Sequence, residues 1–205
     1  MAAQVAFYIQ VAHVLEEIGA PYMIVGAFAG LAFGITRATF DVDMLVDLSP
    51  EHIDALAARF PPPRYYADPV NMQNSMALGV MFNIIDTEAG VKADLVPLTL
   101  GPGYNLAFEG RMRRLFTDTE GRQFEAWLAR PEDIIIGKLM AWHEGRSHKH
   151  PADIYSMLVY LLAGKSDVSF DLKAVALAAA KLGLETQNLW NDLLARAERD
   201  SKSHH

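Results

Sequence analysis

Two aspartates one residue apart, Asp41 and Asp43, lead directly into the apolar residues 44–46. Because alternate side chains of a β-strand lie on one face, about 6.6 Å apart, this spacing predicts a strand with both carboxylates on one face and with Val42 and Met44 towards the core. Two like charges on one face of an apolar sheet repel each other, and a bound divalent cation is the simplest way to neutralise that repulsion. The pattern therefore favours a fold whose sheet holds an acidic face, and it suits metal-assisted chemistry on phosphates.

A third aspartate and a glycine extend this pattern. Asp94 lies inside the apolar segment 91–98, and an aspartate in the middle of an apolar strand costs stability unless it is paired or binds a metal. Mg²⁺ binds to a few carboxylates together with substrate phosphates, and two such ions about 4 Å apart clamp the attacking and leaving oxygens of an in-line displacement. Gly26 follows the predicted strand 22–25 and lets the backbone approach a triphosphate, whose charge the amides of the next helix would face. A plain structural domain with no ligand would leave the three aspartates unexplained.

Hydrophobic periodicity, caps and turn residues predict an α/β (α+β) chain. Predicted helices cover residues 3–18, 27–33, 50–60, 131–145 and 151–162, and two more begin near Asp171 and Gln187. Predicted strands cover residues 22–25, 37–46, 80–85, 91–98, 114–117 and 123–128, with hairpin turns at 86–90 and 118–121. Because every predicted strand precedes residue 131, we expect a small mixed β-sheet core over residues 1–130 and a C-terminal helical part over residues 131–205.

Composition and charge narrow the class of protein. Half of the 205 residues are hydrophobic (51%), 21% are charged and none is cysteine, which is typical of an ordinary globular chain. The first residues lack the basic stretch of a secretory signal, and no apolar run is long enough to span a membrane, so we expect a cytoplasmic protein with no membrane partner. A net charge of −7 argues against a broad nucleic-acid surface, although the basic run Arg111, Arg113 and Arg114 is the best candidate for an RNA contact. A solvated strand edge is the interpretation of that run that we favour.

The order of these parts resembles the nucleotidyltransferase superfamily of DNA polymerase beta, and within it the AbiEii-type and minimal nucleotidyltransferase-like proteins. That family has a hydrophobic residue, two small residues, a short helix, an Asp-x-Asp pair and a third acid on a later strand. The AbiEii-type branch adds Arg-x-Thr before the aspartate pair, and Pro-Glu-Asp followed by a lysine, an arginine and an aspartate in its helical half. The matching residues here are Val25, Gly26, Ala27, Arg37, Thr39, Asp41, Asp43, Asp94, residues 131–133, Lys138, Arg146 and Asp153.

The resemblance implies a metal-dependent transfer of a nucleoside monophosphate from an NTP to a hydroxyl acceptor. Asp41, Asp43 and Asp94 would be the catalytic residues and the ligands of Mg²⁺ or Mn²⁺, with Asp94 positioning or deprotonating the acceptor hydroxyl. The NTP would be bound by further residues, and two more would be accessory to the site. The implied NTP-binding residues are Gly26, Ala27, Arg37, Thr39 and Lys138, and the accessory ones are Arg146 and Asp153.

Several alternatives stay open at this level. The acceptor is a tRNA 3′ end, as in toxins of toxin-antitoxin systems, a protein hydroxyl, or a small cationic molecule such as an aminoglycoside. The acidic charge balance favours the small or cationic acceptors, and an antitoxin or toxin partner is a further expectation from the family. Ala27 replaces the usual glycine or serine, and His150 stands where this branch often has an acid. These two departures motivate the alternative of a catalytically degenerate nucleotide-binding or antitoxin-like interaction module.

Overall fold

The computed structural model describes residues 2–39, 41–100, 103–117, 121 and 123–202. These residues form nine α-helices and seven β-strands, which confirms the predicted mixed α/β class. The helices are α1 (Ala2–Glu17), α2 (Gly26–Gly30), α3 (Pro50–Arg59), α4 (Pro69–Leu78), α5 (Gly103–Glu109), α6 (Pro131–Gly145), α7 (Lys149–Leu162), α8 (Leu172–Leu182) and α9 (Leu184–Lys202). The strands are β1 (Tyr22–Val25), β2 (Asp41–Val46), β3 (Tyr65–Tyr66), β4 (Phe82–Asp86), β5 (Val91–Pro97), β6 (Met112–Thr117) and β7 (Gln123–Leu128).

The chain forms two compact units. The first contains Met1–Val25 and Thr39–Ala129, and the second contains Gly26–Ala38 and Arg130–His205. The segment of α2 therefore groups with the C-terminal helices, so the second unit is not continuous in sequence. The division that the sequence predicts, a core over residues 1–130 and a helical part over residues 131–205, stays a prediction.

The first unit is built on one mixed sheet with strand order β3-β4-β5-β2-β1-β7-β6. The β2–β5 and β1–β7 pairs are parallel and the other pairs are antiparallel. Alternation along β2 buries Val42 and Met44 completely while Asp41 and Asp43 stay half-buried, as the sequence predicts. Helix α1 packs against β5 and α3, and it contributes Val11 and Leu15, which are fully buried. Burial of such apolar side chains is the main force that holds the helix on the sheet.

The second unit is helical. Helix α6 packs against α2, α7 and α8, and α7 and α8 both pack against α9. Pro131 occupies the first turn of α6, where its missing N–H costs nothing, and Ile135 and Leu139 lie on the buried face of that helix. After α2, one turn of 3-10 helix ends at Gly34, whose φ of 97° is left-handed. Glycine is required there because a Cβ would lie 2.4 Å from Cβ of Tyr160 on α7.

The structure also departs from the predicted elements. The second strand begins at Asp41 and not at residue 37, so Arg37 lies in the preceding loop and not on the sheet. Helices α7 and α9 begin earlier than predicted, and α4, α5 and β3 were not predicted at all. Of the predicted hairpin turn 118–121, residues 118–120 lie outside the described residues. No helix in the described ranges is both long enough and apolar enough to cross a membrane.

Candidate active site

A row of polar residues crosses three neighbouring strands of the first unit. In the register, Asp43 of β2 is paired with Asp94 of β5, and Asp94 is paired with Asn83 of β4. Residues paired across neighbouring strands lie on the same face of a sheet, about 4.8 Å apart. The sheet therefore brings Asp94 beside Asp43.

A second row lies one step along the same face. Asp41 of β2 is paired with Lys92 of β5, two residues from Asp43 and Asp94 respectively. The hydroxyl of Thr39 donates a hydrogen bond to Oδ1 of Asp41 at 2.9 Å, and also approaches the Asp41 carbonyl oxygen at 3.1 Å. Thr39 thus fixes the orientation of the Asp41 carboxylate. The role of Thr39 in NTP binding stays a prediction.

Asp94 is the most enclosed of the three aspartates, with 4% of its surface exposed. Its Oδ1 accepts a hydrogen bond from the Asn83 amide, and its Oδ2 accepts one from the Lys92 ammonium. A buried carboxylate needs such partners, because a charge taken out of water without them costs several kcal/mol. Each oxygen of Asp94 is therefore bound by a side chain of the chain itself.

The charge of all three aspartates converges on one hydroxyl, that of Tyr8 on α1. Burial, followed by the negative charges of Asp41, Asp94 and Asp43, raises the pKa of Tyr8 to about 12. A negative charge disfavours the phenolate because the two like charges repel each other. All three carboxylates thus lie near enough to the Tyr8 hydroxyl to disfavour its ionisation.

The donor set fits a hard divalent cation held by two carboxylates. Asp41 and Asp43 share a face and are half-buried, and Mg²⁺ is commonly bound through one or two carboxylates plus substrate phosphates. In the described part of the chain, no group of three or more His, Cys, Asp or Glu side chains is arranged to hold one metal ion. The structure therefore brings Asp94 next to the aspartate pair but binds it to Asn83 and Lys92. Metal ligation by all three aspartates stays a prediction.

The second unit holds a separate cluster of charges around Asp153, on α7. Arg37 donates from Nε to Oδ1 at 2.7 Å and from Nη2 to Oδ2 at 2.8 Å, and Lys138 donates from Nζ to Oδ2 at 2.7 Å. Burial by itself would raise the pKa of Asp153, but the hydrogen bonds and charges of Arg37 and Lys138 outweigh it and hold that pKa below its usual range. The cluster thus joins Arg37, Lys138 and the accessory Asp153, three of the residues predicted from the sequence.

The other predicted residues of the second unit have different surroundings. Gly26 is the first residue of α2 and has a left-handed φ of 69°, and the next residue, Ala27, is buried. Arg146 ends α6 in a left-handed conformation, with Nη2 at 2.8 Å from Oε2 of Glu185 and its guanidinium over the ring of Trp142. The structure therefore pairs Arg146 with a glutamate of α9 and does not give it a bond to Asp153.

Two arginines of the basic run at the start of β6, Arg111 and Arg113, contact side chains of the first unit itself. The Arg111 guanidinium lies over the rings of Phe108 and Trp127. The Arg113 guanidinium also lies over the Trp127 ring, 5.1 Å from its centroid. Arg113 also forms ion pairs with Glu16 and Glu125. Since β6 is the last strand of the sheet, these contacts agree with a solvated strand edge and weaken the case for an RNA surface.

Sequence reasoning missed Asn83, Lys92 and Tyr8 at this site. The alternation of residues 91–97 does place Lys92 on the face of Asp94, so a signal for that residue was present. Asn83 and Tyr8 reach the aspartates through the pairing of β4 with β5 and the packing of α1, which no local pattern encodes.

The solved structures that this α/β chain resembles include a nucleotidyltransferase-like protein and an antibiotic-resistance factor. One is an antigenic nucleotidyltransferase-like protein from Paracoccidioides brasiliensis, with 18% identity, a TM-score of 0.49, and 90% of this chain and 88% of that chain covered. Another is the antibiotic-resistance factor ANT(2'')-Ia, with 18% identity, a TM-score of 0.45, and 100% of this chain and 98% of that chain covered. ANT(2'')-Ia has also been solved in complex with adenylyl-2''-tobramycin.

No protein-family model and no curated protein sequence matches the chain. Identities of 18% or less and TM-scores below 0.5 assign no reaction to this chain by themselves. The case for its function therefore rests on the residues of its own sheet.

Proposed function

We propose that the protein is a metal-dependent nucleotidyltransferase that moves a nucleoside monophosphate from an NTP to a hydroxyl acceptor. The observation that carries the proposal is the register of β2 with β5, which sets Asp94 beside the Asp41–Asp43 pair on one face of the sheet. Three carboxylates on one face of an apolar sheet oppose folding and favour a cationic ligand. The order of the motifs, Gly26, then Asp41 and Asp43, then Asp94, indicates that such a ligand would serve nucleotidyl transfer.

The residues divide the reaction between them. Asp41 and Asp43 would hold Mg²⁺ or Mn²⁺, which when bound neutralises charge on the phosphates of the NTP. The acceptor oxygen attacks the α-phosphorus, the bond from that phosphorus to the β-phosphate bridging oxygen breaks, and pyrophosphate leaves with the electron pair. Asp94 would take the proton of the acceptor hydroxyl, and Thr39 keeps Asp41 oriented through its hydrogen bond.

The proposal assigns NTP binding to Gly26, Ala27, Arg37, Thr39 and Lys138. For Arg37 and Lys138, the bonds to Asp153 favour a structural role in the second unit. The AbiEii-type branch and a toxin or antitoxin partner are likewise proposals that rest on the sequence motifs alone. Among the acceptor classes, the engagement of Arg111 and Arg113 weakens the support for a tRNA end, so we favour a small cationic molecule or a protein hydroxyl.

Nucleotide-dependent stabilisation is the first test of this function. A ligand that binds the native state at 100 times its Kd stabilises the protein by about 2.7 kcal/mol, which raises the Tm of a chain of this size by about 5–10 °C. Each of the four NTPs should be titrated with and without Mg²⁺, and pyrophosphate release should then be measured with aminoglycosides, protein hydroxyls and tRNA as acceptors. We expect one NTP to stabilise the protein when Mg²⁺ is present.

Asp43→Asn and Asp47→Asn form a matched pair of variants for this test. Asp47 follows β2 directly and is exposed, so its replacement should leave binding and turnover unchanged. Asp43→Asn should abolish the Mg²⁺-dependent shift and lower the transfer rate by at least about 100-fold. Full transferase activity in Asp43→Asn would show that the mechanism is wrong.

A nucleotide-binding module without catalysis is the second candidate, and the enclosure of Asp94 by Asn83 and Lys92 favours it. In that case the Mg²⁺-dependent shift by an NTP would appear and would still be lost in Asp43→Asn. No acceptor would then release pyrophosphate from the bound NTP.

A further inference from the structure

Lys92 brings a positive charge into the row of carboxylates. In the register it stands opposite Asp41, and its ammonium binds Oδ2 of Asp94. Asp94 in turn is paired with Asp43. One ammonium thus lies among three negative groups on one face of the sheet, where a divalent cation would also have to bind.

The exposure of its side chain gives Lys92 a route to water. The Lys92 side chain is 43% exposed, whereas that of Asp94 is 6% exposed. A lysine on a half-exposed strand can rotate its long chain and solvate its ammonium in water, so the cost of breaking the pair falls mainly on the buried Asp94 carboxylate, which a second cation can compensate. The Asp94 carboxylate keeps the Asn83 hydrogen bond on Oδ1 when Lys92 moves away.

We propose that Lys92 is a positioning residue that acts as the resident counter-cation of this site and competes with the divalent metal for Asp94. This inference rests on the proposed function, because it takes Asp41 and Asp43 as the metal-binding pair. With Lys92 on Oδ2, Asp94 is withheld from the metal, and the nearby positive charge opposes a second cation. Departure of Lys92 releases that oxygen and removes the repulsion, so Asp94 joins the site when the metal is bound.

Replacement of Lys92 distinguishes this competing role from a role in binding the nucleotide phosphates. If Lys92 opposes the metal, its removal tightens the binding of the metal alone. If Lys92 instead binds the phosphates of the nucleotide, its removal weakens the binding of the metal–nucleotide complex and leaves the metal alone unaffected. The two roles therefore predict changes in different quantities.

Mn²⁺ titration followed by electron paramagnetic resonance of the free ion tests the proposal without any turnover. The full chain should be titrated with Mn²⁺ alone and then with Mn²⁺ and an NTP, as wild type and as Lys92→Met, Lys92→Gln and Lys92→Arg. We expect at least tenfold tighter binding of Mn²⁺ alone in Lys92→Met and Lys92→Gln, and wild-type affinity in Lys92→Arg, which keeps the charge. Lys173→Met, at an exposed position of α8, controls for the change of one unit in net charge.

Loss of the ion pair with a buried carboxylate can also destabilise the fold, and a double variant separates that effect. Lys92→Met combined with Asp94→Asn removes both charges, so it should unfold at the urea midpoint of the wild type. Because the oxygen that Lys92 released is no longer a carboxylate, the gain in Mn²⁺ affinity should disappear in this double variant. Lys92→Gln still donates a hydrogen bond to Asp94 and gives a second folded variant without the charge.

Each other outcome has a definite meaning. Unchanged Mn²⁺ affinity in Lys92→Met, together with its loss in Asp43→Asn, would overturn the role of Lys92 and leave the proposed function standing. Weaker binding of Mn²⁺ with NTP in Lys92→Met, with Mn²⁺ alone unchanged, would make Lys92 a phosphate ligand and overturn the competition. Absence of Mn²⁺ binding in every variant, with or without NTP, would overturn both the role of Lys92 and the proposed function.

Discussion

Asp153→Asn should lower the free energy of unfolding more than a substitution of any exposed residue does, because it removes one charge from a buried group of charges. Asp153 accepts three hydrogen bonds from cationic groups, two from Arg37 and one from Lys138, at 2.7–2.8 Å. The side chains of Asp153 and Lys138 are 3% and 6% exposed, so the Lys138 ammonium would lose its carboxylate partner in a place with little access to water. Breaking a buried pair in this way costs about 3–5 kcal/mol, and asparagine, which still offers an oxygen, should give about 3 kcal/mol.

Chemical denaturation measures this loss directly, and about 3 kcal/mol corresponds to a fall in Tm of about 6–12 °C for a chain of this length. Asp192→Asn, at an exposed position of α9, is the matched control and should change the free energy of unfolding by less than about 0.5 kcal/mol. Replacing both buried members, as Lys138→Met with Asp153→Leu, should recover most of the loss because no buried charge is left. A loss below about 1 kcal/mol in Asp153→Asn would refute the view that this group of charges holds the second unit together.

Two further predictions concern one backbone position and one carboxylate. Gly34→Ala should lower the free energy of unfolding by about 3 kcal/mol, because the new Cβ combines left-handed strain with a 2.4 Å approach to Tyr160. Gly164→Ala, with a φ of 65° and open space around it, is the control and should cost on the order of 1 kcal/mol. Equal losses of the two variants in urea denaturation would contradict the clash at Gly34. Hydrogen bonds from Arg64 hold the pKa of Asp86 below its usual range although burial opposes them, so this carboxylate contributes stability that is present above about pH 4 and lost as pH falls through the lowered pKa. Asp86→Asn should therefore lose less stability than the wild type between pH 6.5 and pH 3.5, and parallel curves for the two proteins would contradict that.

The sheet core could be predicted because its signals are local. In β2 and β5 one face is fully apolar and buried, and the other carries the polar residues Asp41, Asp43, Lys92 and Asp94, although Leu45 and Asp94 on that face are buried as well. Turn residues fixed the hairpin between β4 and β5. The pairing of β2 with β5 joins residues about fifty positions apart, and periodicity identifies strands without stating which of them are neighbours.

Helix α4 was missed for a physical reason. Asp68 caps it through hydrogen bonds to two backbone amides and Pro69 occupies its first turn, so the start signal was present. Its large apolar side chains are not gathered on a buried face, since Val70 and Leu78 are 64% and 76% exposed. A helix without an apolar stripe gives no periodic signal, and its prediction fails even when its cap is good.

The candidate site shows the same division between local and distant information. The motif placed Asp41, Asp43 and Asp94 correctly on strands, because spacing along one strand determines the face on which a side chain lies. The bonds of Arg37 and Lys138 to Asp153 depend on helix packing, and Arg37 is 116 positions from its partner. Charge and spacing alone could therefore suggest these residues as ligands of an anion without showing that a carboxylate of the chain already binds them.

Two lysine–aspartate pairs in this protein make the same bond and differ in what the lysine can do next. Lys138 is 6% exposed beside Asp153, so any departure would take a buried ammonium away from its carboxylate, and the pair is suited to holding helices together. Lys92 is 43% exposed beside Asp94, so its ammonium can be solvated in water when it leaves, while the buried Asp94 carboxylate then needs another cation. A site that must admit a cation and later release it needs a bond of the second kind at its acidic residues. The difference in exposure, rather than the presence of an ion pair, is what separates the Asp94 row from the Asp153 cluster as a place for chemistry.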